Sequence, residues 1–207
     1  MKLLIELKGI RYGVLEDEDV AEMARVIAEV FHHSDPLGTA VGMRREELED
    51  FVLAFGSKAA AEGLTVIARD HSGKMVGAMF TDDFGTPLPN LQNLPESFAP
   101  VGAIPERLDE QYQHTQIIVP GSHAHLNMLA VLSDAAGRGI AQTMIRICIE
   151  NAKNCGYRLA IVEANGPVSQ HIFRKPGFQE RFTVPYKEFL LKGSPFLPPL
   201  NQRSGSC

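Results

Sequence analysis

The stretch LAVLSDAAGRGIAQTMIRICIENAKNCGY, residues 129–157, decides how the rest of the chain is read. An apolar run from Leu129 to Leu132 enters a loop in which Gly137 and Gly139 are separated by one residue, and an apolar-periodic segment follows at once. That order predicts a strand, a tight turn and a helix over 138–154. A helix N-terminus carries N–H groups without intrahelical partners and a partial positive charge, which suits it to a phosphate. Gly137 and Gly139 remove side chains that would hold an anion away from those amides, Ala136 and Ala141 are small, and Arg138 adds charge at the rim. A G-x-G turn after a strand serves equally well as a plain connection, so the pattern alone leaves both readings open. A dinucleotide fingerprint would need a small residue at Gln142, although Glu163 does end the next apolar run. A Walker loop would need Gly-Lys-Ser/Thr, and none follows.

Working outward, residues 3–15 alternate as one strand, and Val20, Met23, Ala24, Ile27, Val30 and Phe31 fall on one face of a first helix. SDPLGTAVG, 34–42, breaks that helix, and 43–63 reads as a second one with a break near Gly56. LTVIARD and MVGAMFTDD flank the turn HSGK as a hairpin. Residues 84–124 form a proline-rich excursion with a short helix near ERLDEQYQHTQII, long enough to be functional and to cover a substrate pocket. AHLNMLAVL and RLAIVEA are strands. SQHIFRKPGF is a short helix stopped by Pro176–Gly177, and FQERFTVPYKEF and LLKGSPFL read as closing strands. The reading is a single mixed α/β domain over 1–200 with a flexible tail at 201–207.

The 207 residues carry a formal net charge of −5, which argues against nucleic acid as a partner and leans toward a cationic small molecule. No run is long enough for a membrane span, and the interrupted start, MKLLIELKGIRYGVL, reads as a strand rather than a leader. Cys148, Cys155 and Cys207 have no metal-ligand spacing and read as reduced thiols in a cytoplasm. His123 and His125 share a strand face, but no third ligand stands at suitable spacing, so no metal centre is expected. Glu163 serves as a base or as the partner of a nearby cation.

These residues resemble the GCN5-related N-acetyltransferases, whose pyrophosphate loop reads V-x-P-x-x-R/Q-G-x-G-I-G/A. Val131, Gly137, Gly139, Ile140 and Ala141 stand at the matching positions, while Ser133 replaces the proline and Ala136 the Arg/Gln. SDPL after the first helix, NMLAV, SQHIFRKPGF and VPYKEFLLKGSPF place the resemblance nearest the arylalkylamine N-acetyltransferase-like branch. The resemblance implies an α/β (α+β) fold with a mixed, mostly antiparallel sheet of about seven strands flanked by helices, its central pair splayed. It implies acetyl transfer from acetyl-CoA to the primary amine of a small molecule, by direct attack in a ternary complex.

By the same resemblance, the amides of Leu129, Ala130 and Val131 hold the pantetheine, and Ala136, Gly137, Arg138, Gly139, Ile140, Ala141 and Gln142 hold the pyrophosphate. Asn165, Ser169 and Phe173 lie beside the cofactor, Asn165 and Ser169 at the places of two family serines. Asp35 takes the place of a glutamate base, one methylene shorter, and would work through a water. Ser169 would touch the cofactor or relay a proton. Phe173 stands where many members have a tyrosine acid, so the thiolate's proton comes from elsewhere. Read without the resemblance, Asp35 is turn chemistry before a proline and Ser169 a helix cap. The departures at Asp35, Ala136 and Phe173 keep open a non-catalytic acyl-CoA-binding domain on the same scaffold. The scaffold commonly forms homodimers, although no stripe of the sequence marks an interface.

Overall fold

The computed structural model describes residues 1–91, 94–95, 98–186, 190–191 and 194–195. Six strands form one sheet in simple chain order: β1 (Lys2–Leu7), β2 (Ile10–Val14), β3 (Val66–Arg69), β4 (Met75–Asp83), β5 (His123–Val131) and β6 (Leu159–Ile161). All neighbours run antiparallel except β5 and β6, which are parallel because α5 (Ile140–Asn154) crosses between them. This is the mixed sheet the sequence predicts, one strand smaller.

The single strand expected over 3–15 is instead the β1–β2 hairpin, reversed at Lys8 and Gly9, both at positive φ. β1 is the outer edge, and Leu3, Leu4, Ile5 and Leu7 are all exposed along it.

The apolar positions of α1 (Val20–Ser34) bury Met23, Ala24 and Ile27 against α3 (Arg45–Glu62) and the sheet face of Ile67, Ala78 and Phe80. α3 runs unbroken through Gly56. A Cβ there would lie 2.3 Å from Val20 Cγ1, so the glycine lets the two helices touch rather than breaking one. The segment expected only to break the first helix makes a helix of its own, α2 (Pro36–Val41), with Asp35 as cap and Pro36 in its first turn. Within the excursion, α4 (Phe98–Gln113) is longer than expected and contains Pro105. It packs Val101 and Ile104 on Leu37. α5 and α6 (Pro167–Arg174) cover the opposite face, where Ile140, Met144, Ile145, Cys148 and Phe173 meet Val66, Val76, Met79 and Leu126.

The closing strand expected over 178–189 does not form among its described residues. Phe178 packs on Phe173, while Val184 and Tyr186 join Leu37 and Ile104, so these side chains are used up outside the sheet. Among the described residues, β7 (Leu190–Leu191) and β8 (Ser194–Pro195) pair only with each other. The expected tail at 201–207, Cys207 included, lies outside the described residues. No helix among those described is long and apolar enough to cross a membrane.

Candidate active site

β5 and β6 part company part-way along. Their ladder ends at His125–Ile161, yet β5 continues to Val131, paired only with β4 on its other side. The β4 pairing also slips: Phe80 faces Met128 and Thr81 faces Leu126, leaving Asn127 as a bulge. The result is a fork whose β5 wall carries the backbone of Asn127, Met128, Leu129, Ala130 and Val131, none of it bonded to β6. A sheet interior normally pairs such groups, so an opening of this kind suits an extended ligand that bonds to them.

The far end of the fork leads through a short 3-10 turn, Ser133–Ala135, into Ala136–Gly139. Gly137 and Gly139 have φ of 74° and 76°, where any other residue but asparagine or aspartate is strained. Among the described residues, nothing lies within 4 Å of where either Cβ would be. No side chain among those described caps α5, and its first helical bond beyond the loop runs from Thr143 N to Gly139 O. The first-turn amides of Ile140, Ala141 and Gln142 are therefore free of that ladder. Ala136, Gly137, Arg138 and Gly139 are exposed. The residues fit a diphosphate: an open cradle of main-chain donors at the positive end of a fifteen-residue helix. Two side chains in this set are engaged elsewhere. Ile140 is buried in the core, and Gln142 Nε2 donates to Ile172 O at 3.2 Å, tying α5 to α6.

The remaining predicted residues gather at the β6 end. Asp35 Oδ2 accepts from Gly38 N at 2.7 Å, and the carboxylate is also bonded by Leu37 N and the Asn165 side chain. Burial, outweighing those bonds, raises its pKa. Asp35 thus caps α2 and touches Asn165 at once. Ser169 Oγ accepts from Gly166 N and donates to Gly166 O, so it caps α6. Phe173 is buried against Phe178, with ring centroids 5.4 Å apart. Tyr186 donates its hydroxyl to Asn165 O.

A cavity of about 1210 Å³ opens between α4, β6, α6 and the 176–186 segment, lined among others by Asp109, Tyr112, Glu163, Asn165, Phe173 and Tyr186. Behind the lining residue Glu163, the buried His125 sits between carboxylates: Nε2 lies 2.6 Å from Glu163 Oε2, and Nδ1 lies 3.2 Å from Asp82 Oδ1. Burial pushes the imidazole toward neutrality, but these two carboxylates outweigh it and hold His125 protonated well above its usual range.

The sequence matches the Acetyltransferase (GNAT) family over residues 27–178, from within α1 past the end of α6. The chain belongs to the GNAT acetyltransferases.

No curated protein matches this GNAT acetyltransferase in sequence. Solved structures do match its fold. The C-terminal condensation domain of Ebony, in complex with β-alanyl-dopamine, superposes with a TM-score of 0.84 at 13% identity, over 91% of each chain. Arylalkylamine N-acetyltransferase 2 from Aedes aegypti gives 0.74 at 18% identity, over 92% of this chain and 93% of that one. The polyamine N-acetyltransferase of Drosophila melanogaster, which forms N-acetylagmatine, gives 0.70 at 18%, over 92% and 94%. The family match makes this chain an N-acetyltransferase in class, with acetyl-CoA the co-substrate that the family implies.

Sequence reasoning missed Asp109 and the bulge at Asn127. Asp109 had one faint signal: it stands beside Leu108 on a helix whose Ile104, Leu108 and Tyr112 recur at helical spacing inside a proline-rich excursion. Glu163 takes the second of its two expected roles, as partner of a cation.

Proposed function

We propose that this enzyme transfers an acetyl group from acetyl-CoA to the primary amine of a small molecule, by direct attack while both are bound. The observation that carries the reading is the uncapped run of main-chain donors at Gly137–Ala141, lying directly beyond the β5–β6 fork. The cradle would hold the diphosphate, and the β5 backbone from Asn127 to Val131 would hold the pantetheine and polarise the thioester carbonyl. When bound, acetyl-CoA supplies the activated acyl carbon, and the protein supplies orientation and proton traffic.

An alkylamine is almost wholly protonated at neutral pH, so a base is of value. Asp35 fits that role through a bridging water, because burial raises its proton affinity and its partner Asn165 lines the cavity. The neighbours' acceptors, arylalkylamines and agmatine, define the first panel to try. Calorimetric titration with acetyl-CoA, then thiol release across that panel, tests the reading. No binding at millimolar acetyl-CoA would end it.

A second reading, a domain that binds acyl-CoA without turnover, draws on a specific set of contacts. Asp35 and Ser169 are both engaged as helix caps, and Phe173 has no proton to give. Binding with no amine-dependent thiol release favours that reading.

A further inference from the structure

Where β5 and β6 part, a side-chain bond takes over from the backbone ladder. His125 is the last β5 residue paired with β6, opposite Ile161. Its Nε2 lies 2.6 Å from Oε2 of Glu163, the second residue beyond that partner. Its other nitrogen, Nδ1, lies 3.2 Å from Oδ1 of Asp82, the residue directly opposite it on β4. Lys58 Nζ on α3 donates to Asp82 Oδ2 at 2.9 Å and to Asp83 O at 3.1 Å. Glu62 pairs with Lys58 and accepts from Asp83 N at 2.8 Å. The imidazole therefore has a carboxylate at each nitrogen, and the Phe84 ring meets it edge-on with centroids 5.5 Å apart.

Signs alternate along the string Lys58, Asp82, His125, Glu163, and none of the four side chains is more than 12% exposed. Asp109 on α4 adds no second anion at neutral pH, because burial and the Glu163 charge push its carboxyl up to about 8. Burying ions is costly, and packed apolar side chains often hold a core as well or better. What such a string supplies instead is direction: a short charge-assisted bond fixes the distance and angle between the groups it joins. That matters here because only three ladder pairs join β6 to β5, and among the described residues no strand flanks β6 on its other side. Beyond Ile161, side chains must hold the two chains in place.

We propose that His125 and Glu163 are positioning residues that set the width of the β5–β6 fork for the pantetheine arm of acetyl-CoA. This rests on the acetyl-transfer reading above. The arm needs the backbone groups of Asn127–Val131 uncovered on one side and a second wall close by on the other. The bond fixes Glu163 relative to β5. A shift of its chain toward β5 would let strand pairing run on and cover those groups, and a shift away would leave the arm touching one wall. Neither residue has to meet the acyl carbon or carry a proton.

The test compares two probes by calorimetry: acetyl-CoA, which carries the arm, and ADP, which carries a nucleotide diphosphate for the cradle alone. The unaltered enzyme should bind acetyl-CoA more tightly than ADP. The double variant His125→Leu/Glu163→Leu replaces the ion pair with apolar side chains, so its melting temperature should hold or rise. Its affinity for acetyl-CoA should nevertheless fall roughly tenfold, with ADP binding unchanged. KM for acetyl-CoA should rise by the same factor, while kcat at saturation changes far less. Stability and binding then move apart, which a pair that merely held the fold together would not allow. Glu163→Ala should also lose acetyl-CoA affinity, and Glu163→Gln, which keeps an acceptor for His125, should retain most of it. That comparison decides the matter if the double variant does not fold.

Unchanged acetyl-CoA affinity in Glu163→Ala or in the folded double variant, or ADP affinity falling in step, overturns the role while leaving acetyl transfer intact. An unaltered enzyme that binds acetyl-CoA no more tightly than ADP has no seat for the arm in its fork, and removes acetyl transfer and this role together.

Discussion

The two glycines of the loop do different work from their neighbours, because their left-handed backbone is what turns the amides outward. Gly137→Ala meets no steric obstacle, so its cost is conformational, about 1–2 kcal/mol of stability read by chemical denaturation. Gly137→Val should in addition weaken acetyl-CoA binding by about tenfold, ~1.4 kcal/mol, measured by calorimetry. Asp35 separates two roles that sit on one carboxylate. Asp35→Asn keeps an acceptor for Gly38 N and should hold the melting temperature, whereas Asp35→Ala should lose about 1 kcal/mol as the cap of α2 goes. If Asp35 is the base, both variants lose turnover; if only Asp35→Ala does, the residue is a cap alone.

The helices owe their legibility to periodicity. α1 and α5 carry long apolar faces that bury as spaced, and the strand–loop–helix passage at 129–154 needs only local chemistry. The β1–β2 hairpin was hidden because the apolar alternation runs straight through Lys8–Gly9, and the closing segment because nothing local tells a chain that its apolar residues will be taken by α2 and α4. Gly56 misleads for a related reason: its purpose lies in another helix. Gly56→Ala should destabilise by about 1–3 kcal/mol through crowding, despite alanine's better helix propensity. Adding Val20→Ala should make the pair less costly than the sum of the two single changes, a coupling read by a double-mutant cycle in denaturant.

Across the whole molecule, this set of buried charged groups could not be read from sequence, since Lys58, Asp82, Asp109 and His125 come from four elements and Glu163 from the loop beyond β6. Its consequence for stability has a definite sign. Asp109 binds its proton more tightly folded than unfolded, so its contribution is complete below about pH 4 and is lost as pH rises through about 8. Denaturant midpoints should therefore fall between pH 5.5 and 8.5, and Asp109→Asn should flatten that slope. The sheet has a second molecule-wide consequence, at its outer border. Leu3, Leu4, Ile5 and Leu7 leave a greasy strand with unfilled ladder bonds, and Lys2, Glu6 and Lys8 are the gatekeepers that discourage another chain from adding to it. Replacing Glu6 with valine should make light scattering rise at lower protein concentrations, as copies aggregate through that border while the fork and its cradle stay folded.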